Sequence, residues 1–233
     1  MALRRESPRS LLRSIPLFNQ LDAESLTHLA AFTRTFPAAK GQVVVEAGTR
    51  PGAFYCLITG QVQLAVSAAF GGEKVISIVA PGQTFGEALL FTGDPYPVSA
   101  VALSDCLLLS VPFAPVLELA DNRSGFALQM AAGLAIRLQH FVMDIEQYAL
   151  HSGTERVLDL LRRLAEETCP APRPAPAVVT LPASKNVIAS RLSLKPETFS
   201  RILRRLTDAG AIRMNGRTIV LVDLDAPDIT GLI

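Results

Sequence analysis

The stretch "SKNVIASRLSLKPETFSRILRRLTDAGAIRMNGRTIVLVD", residues 184 to 223, leaves the chain few ways to fold. Ser184 can accept a bond from a free helix N–H, so a helix is predicted from there that buries Val187, Ile188 and Leu192. "SLK" follows as a turn of three residues, and Pro196 then opens a second helix, because its fixed φ suits the first helical position and its missing N–H needs no partner there. Phe199, Ile202, Leu203 and Leu206 form that helix's apolar stripe. Gly210 ends it as a left-handed cap, and Asn215-Gly216 between two β-branched runs signals a hairpin. "VVT" just upstream of Ser184 reads as one more short strand.

Helix, tight turn, helix and β-hairpin is the plan of a winged helix-turn-helix, whose second helix enters the DNA major groove by its N-terminal residues. On the face opposite the apolar stripe lie Glu197, Ser200, Arg201 and Arg204, at i, i+3, i+4 and i+7. A guanidinium can donate two bonds to guanine and a carboxylate can accept from cytosine N4, so Glu197 and Arg201 are base-reading candidates, with Ser200 small enough to allow close approach. The alternative for the same two residues is a surface ion pair one turn apart. Net charge is only +1, yet this segment holds Lys185, Arg191, Lys195, Arg201, Arg204, Arg205, Arg213 and Arg217 against Glu197 and Asp208. Ser184, Lys185, Arg191, Ser193, Lys195, Thr198, Arg204 and Arg217 are therefore candidates for phosphate contacts, which position without specifying.

Upstream, the pattern differs. From Gln42 to Val111, short β-branched runs separated by Gly and Pro predict an antiparallel roll or barrel. A helix capped by Asp22 precedes it, with Leu21, Leu26, Leu29 and Phe32 along one face. After Pro115 a helical period persists for about 35 residues without proline. Within it Met130, Leu134, Leu138, Phe141, Ile145 and Tyr148 recur at steps of three and four, the spacing of a seam against a second helix, which points to a homodimer, the alternative being that the seam packs on its own roll. "HSGTERVLDLLRRLAEE" begins another helix, and "CPAPRPAPA" (169–177) is a stiff connector. Cys56, Cys106 and Cys169 are odd in number and far apart, which suits reduced buried thiols. No secretory cleavage pattern follows the basic start and no run of about 18 apolar residues is visible, so a cytoplasmic chain without a membrane span is expected.

Over nearly its whole length the sequence resembles the cyclic AMP receptor protein/fumarate and nitrate reduction regulator (CRP/FNR) family. The resemblance rests on the leading helix, the roll with "GQTFGEALLF" (82–91), the long helix and the winged unit. It implies an α+β chain: a cyclic-nucleotide-binding-type β-roll over 1–115, a dimerisation helix over 116–150 and a winged helix-turn-helix over 151–233. Glu197, Ser200 and Arg201 match an "ExxSR" signature, which implies a palindromic promoter site with TTGAT-like half-sites, read on double-stranded DNA by a regulator that meets RNA polymerase. "PETFSRILRRL" looks most like the dissimilatory nitrate respiration regulator branch, which implies denitrification control with haem and nitric oxide sensing.

The resemblance also exposes departures. Nucleotide-binding members follow their Gly-Glu pair, here Gly86 and Glu87, with an arginine for the cyclic phosphate. This chain has Pro97 and Val98 in that stretch, and apolar Phe141 and Val142 where the purine would meet the helix. A buried phosphate without its charge partner is costly, so cyclic AMP is not the expected effector. Residues 1 to 55 contain no cysteine, so no iron–sulfur cluster is expected either. Phe85, Gly86, Glu87, Leu89, Phe91, Pro97, Val98, Phe141 and Val142 are the candidate effector pocket, and His140, beside the seam, is the haem-ligand candidate among His28, His140 and His151. No hydrolase motif such as GxSxG or HExxH is present, and no enzymatic role is expected.

Overall fold

The computed structural model describes residues 6–67, 73–168 and 176–222. The chain divides into two compact units, one running to Gln139 and the other from His140. Cys169, residues 169–175 of the proline-rich connector, and the side chains of His140 and Tyr148 lie outside the described residues.

The first unit opens with α1 (Pro8–Arg13), a 3-10 turn (Pro16–Phe18) and α2 (Ala23–Phe32). Asp22 caps α2, its carboxylate accepting from the Ser25 N–H at 2.8 Å. Leu26 and Leu29 are buried as the periodicity predicts, whereas Phe32, assigned to the same face, is half exposed at the helix end.

Eight strands follow: β1 (Arg34–Ala38), β2 (Val43–Val45), β3 (Ala53–Thr59), β4 (Val62–Ser67), β5 (Glu73–Val79), β6 (Thr84–Phe85), β7 (Ser99–Ala102) and β8 (Cys106–Pro112), with the short α3 (Leu89–Thr92) between β6 and β7. They form two antiparallel sheets, in orders β1-β8-β3-β6 and β2-β7-β4-β5. The roll begins earlier than the sequence pattern suggests. Pro37 disguises β1, which tolerates it as an edge strand with no inward neighbour requiring that N–H.

Side-chain alternation feeds two cores from one sheet. Phe54 and Cys56 of β3, with Leu109 and Val111 of β8, pack against the leading helices, Val116, Phe126 and Met130. Leu57 and Leu108 instead pack between the sheets with Val62, Phe85, Tyr96 and Ala100. A sheet buried on both faces needs apolar residues at successive positions, which is why "CLLLSV" reads as continuous rather than alternating.

The helical stretch after Pro115 is two helices rather than one. These are α4 (Phe113–Asn122) and α5 (Ser124–Leu150), separated by Arg123 at φ −139°, ψ 93°. The break carries no Pro or Gly. The Asn122 amide donates to the Glu118 carbonyl at 2.8 Å, competing with helix continuation, and Arg123 pairs with Asp22. The seam is corrected as well. Met130 is 2% exposed within the roll core, because α5 lies on the roll there, and Leu134 is half buried. The exposed apolar series is Leu128, Ala131, Ala135, Leu138, Val142 and Ile145, at steps of three, four, three, four and three. Phe141 is also exposed. Contrary to the expectation of no such run, Ser124–Met143 has the length and composition to cross a membrane. Its Phe126 and Met130, however, are buried in the roll core.

The second unit contains α6 (Gly153–Thr168), β9 (Ala177–Thr180), α7 (Lys185–Arg191), α8 (Pro196–Asp208), β10 (Ile212–Asn215) and β11 (Thr218–Leu221), the strands forming an antiparallel sheet in order β10-β11-β9.

Gly60, at the β3–β4 turn, has φ +90°, and a Cβ there would stand 2.5 Å from the Asp105 carbonyl and 2.6 Å from the Cys106 sulfur. Gly60→Ala should therefore destabilise the chain by about 3 kcal/mol, the sum of left-handed strain and a backbone clash, read as a lower denaturant midpoint at unchanged slope.

Candidate nucleic-acid interface and effector chamber

The N-terminus of α7 is capped as its sequence predicts, Ser184 Oγ accepting from the Val187 N–H at 3.4 Å. Its end depends on Ser193, at φ 55° the one non-glycine among the described residues with positive φ. The Leu194 N–H reaches the Ala189 carbonyl at 2.9 Å and the Ser193 N–H the Ser190 carbonyl at 3.1 Å, the two bonds of a Schellman cap. Gly210 closes α8 in the same way, with Ala211 bonded to Leu206 and Gly210 to Thr207. The tight turn between the helices is thus set by backbone bonding.

Phe199, Ile202, Leu203 and Leu206 anchor the back of α8, each at most 6% exposed. Ile188 and Leu192 are buried beside them and Val187 is half buried. Glu197, Ser200 and Arg201 are exposed, and among the described residues Glu197 and Arg201 form no ion pair with each other. Their polar groups face solvent, so the surface-pair alternative is not realised. Arg204 instead makes a loose pair with Asp208 at 3.9 Å. Ser184, Ser193 and Lys195 are exposed, and Lys185, Arg191 and Thr198 half buried.

The hairpin is shifted by one residue from the expected turn. Asn215 pairs with Thr218, so the loop is Gly216-Arg217, with φ +63° at Gly216 only. Positive φ at the first central position alone is the type II′ pattern rather than the type I′ that Asn-Gly favours. Arg217 consequently stands exposed at the tip.

Sequence reasoning missed the brace behind the turn. Ser152 and Glu155 form a capping box at α6, the Ser152 N–H donating to the Glu155 carboxylate at 2.6 Å and the Glu155 N–H to Ser152 Oγ at 3.2 Å. The signal, Ser-x-x-Glu before an apolar run, is present in the chain. Arg156, next along, donates to the Leu192 carbonyl at 2.6 Å and so ties α6 to the end of α7.

In the first unit, Phe85 ends β6, Gly86 and Glu87 form the turn after it and Leu89 begins α3, but Phe85 and Leu89 are packed core rather than cavity lining. Phe85 stacks on Tyr55 at 5.3 Å. Gly86 has φ +85°, and a Cβ on it would lie 2.7 Å from the Tyr96 hydroxyl, so the ring fits only against glycine. Glu87 is 6% exposed and pairs through Oε1 with Arg137 of α5, whose other terminal nitrogen lies 3.4 Å from Thr84 Oγ1. Glu87 Oε2 is buried without a hydrogen-bond partner among the described residues. Pro97, Phe91 and Val142 are exposed and Val98 is half buried. A groove of about 500 Å³ lies elsewhere on the roll, among Val43–Glu46, Thr49–Ala53, Tyr55 and Tyr96. Burial pushes the Tyr96 phenol and the Cys56 thiol well above their ordinary ranges, with smaller additions from nearby Tyr55 and Glu87 for Tyr96 and from Glu87 for Cys56.

A roll with a helical lid and a winged unit exposing an unpaired acid–base edge define a DNA-binding transcription regulator. Residues 36–123 match the cyclic nucleotide-binding domain family and 155–226 the Crp-like helix-turn-helix domain family. The chain belongs to the CRP/FNR family. It is 27% identical over 179 residues to the cAMP-activated global transcriptional regulator CRP of Pasteurella multocida, covering 76% of this chain and 85% of that one. The solved structure of DNR from Pseudomonas aeruginosa is 33% identical, with 96% of each chain covered and a TM-score of 0.51. FixK2 from Bradyrhizobium japonicum shares the fold at a TM-score of 0.71 and 24% identity, covering 81% of this chain and 92% of that one.

The Ser152 backbone bond holds the Glu155 carboxyl below its ordinary value near 4.5. A depressed folded-state pKa adds stability above the unfolded value, and that stability is lost as pH falls through the folded one. Urea melts should therefore show Glu155→Ala less stable than wild type at pH 7, with the difference closing in acid below that ordinary value.

Proposed function

We propose that the chain is a homodimeric regulator that reads a palindrome of TTGAT-like half-sites through Glu197, Ser200 and Arg201, and acts at promoters with RNA polymerase in the cytoplasm. The observation that carries this reading is the exposed, mutually unpaired Glu197 and Arg201 on a helix whose opposite face is buried. Lys185, Arg191, Lys195 and Arg217, around the same edge, are the phosphate-contact candidates. Two-fold DNA symmetry calls for two copies. The exposed apolar repeat from Leu128 to Ile145 supplies the surface, since burying it removes apolar area from water.

In binding titrations, Arg201→Ala should weaken the cognate palindrome by about 1–3 kcal/mol and leave scrambled DNA unchanged. Leu138→Glu should lower the sedimenting mass and cognate affinity together. Equal cognate affinity of Arg201→Ala and wild type, or an unchanged mass for Leu138→Glu, would overturn the corresponding part of the reading.

For the effector, nitric oxide sensing through haem is what the sequence resemblance of "PETFSRILRRL" to the dissimilatory nitrate respiration regulator branch implies, and the 33% identity to DNR is consistent with that branch. Among the described residues, His28 Nε2 lies 3.4 Å from a Glu118 oxygen yet is buried without a hydrogen bond, His151 Nδ1 lies 3.1 Å from an Asp159 oxygen, and Cys56 is a fully buried thiol raised away from its thiolate form. The groove contains neither imidazole nor thiol. The haem reading takes His140, the candidate beside the seam, as the ligand. Haem titration of the wild type should produce a Soret band that moves with nitric oxide and is lost in His140→Ala. No band would favour a regulator of the same build with another effector or none.

A cyclic nucleotide remains the alternative effector, favoured by the domain match and by relatives named for cyclic AMP. Against it stand Pro97 and Val98 in place of the phosphate arginine, and Arg137 is already committed to Glu87.

A further inference from the structure

We propose that the groove of about 500 Å³ on the roll is a binding site for a small aromatic monocarboxylate, independent of the haem reading. Its volume falls within the range of small-molecule sites, and its walls divide by chemistry. Val45 and Pro51 are apolar, the half-buried Tyr55 ring is backed by Phe85, Tyr96 forms the buried floor, and Arg50 and Glu46 are charged.

The floor is preformed, which limits the ordering cost of binding. Tyr96 donates its hydroxyl to the Ala53 carbonyl at 2.7 Å and its N–H to the Thr49 carbonyl at 2.9 Å, and its own carbonyl accepts from the Gly48 N–H at 2.8 Å. Arg50 is exposed and makes no ion pair among the described residues, so its planar fork is free for a carboxylate. Glu46, in the same lining, adds one negative charge and disfavours a ligand carrying two. This selects a monoanion over a phosphate ester.

Tyr96 gives such a ligand a route to the rest of the unit. Its ring also rests against Gly86, and the next residue, Glu87, holds Arg137 of α5. A ligand on that floor stabilises the arrangement in which the bonded Tyr96 ring, Gly86 and the Glu87–Arg137 pair are packed together, as any effector must act through differential affinity.

The chain has three tyrosines and no tryptophan, so protein labelled with 3-fluorotyrosine gives a fluorine spectrum in which Tyr55 and Tyr96 can be assigned by Tyr→Phe variants. Phenylacetate is the probe, with phenylacetamide and inorganic phosphate as controls. The Tyr55 and Tyr96 signals should shift saturably, with a midpoint of about 10 mM or lower for a ligand of about ten non-hydrogen atoms. Arg50→Gln, at an exposed position, should weaken phenylacetate about tenfold, and the neutral amide should bind wild type about tenfold more weakly than the acid. The absence of a saturable shift, equal affinity in Arg50→Gln, or equal affinity for the amide would overturn the proposal. So would phosphate binding as tightly as phenylacetate, which would mark a general anion site.

Discussion

Phe18 sits between two other rings, 6.2 Å from Phe54 and 6.1 Å from Phe126, and the first unit depends on that contact. It joins the leading turn, the sheet and the start of α5 in one buried cluster. The same sheet supplies Leu57 and Leu108 to the second core, between the sheets, so the helices and the roll share a wall. Core packing is close and does not deform continuously, so a displacement of the turn after β6 meets α5 through fixed contacts such as Glu87–Arg137.

The second unit achieves its geometry by another route. Buried side chains such as Leu161, Ile188, Phe199, Leu206 and Ile219 form its core, and caps set the helix limits: Ser184 and the Ser152–Glu155 box start helices, while Ser193 and Gly210 end them. Arg156 then bonds the carbonyl at the end of α7. Together these hold α8 with its apolar side inward and its charged edge outward, the arrangement base reading requires.

Much of this was legible in the chain because it is local. The α8 stripe, Pro196 at its start, the Asp22 cap and the presence of a hairpin follow from period and capping chemistry over four or five residues. Where a remote residue decides, local pattern failed. Arg123 breaks a helical run with help from Asp22, about a hundred positions away, and Met130 fits a seam by spacing yet is buried by the roll. The hairpin turn shifted by one residue because pairing with β9 as well as β10 sets the register of β11.

By itself, the sequence determined which side of α8 faces outward: residue type at helical spacing specifies Glu197, Ser200 and Arg201 as an outward edge, and the same spacing puts Phe199 and Leu203 behind it. Only the tertiary structure decided what surrounds Glu87. Arg137 of α5 pairs with it and reaches Thr84, while Tyr96 packs on the adjacent Gly86, and no periodicity records which distant side chains share a buried volume. The reason is physical: secondary-structure periods are set by local backbone geometry, whereas a buried charge is partnered by whichever element the packing brings within reach.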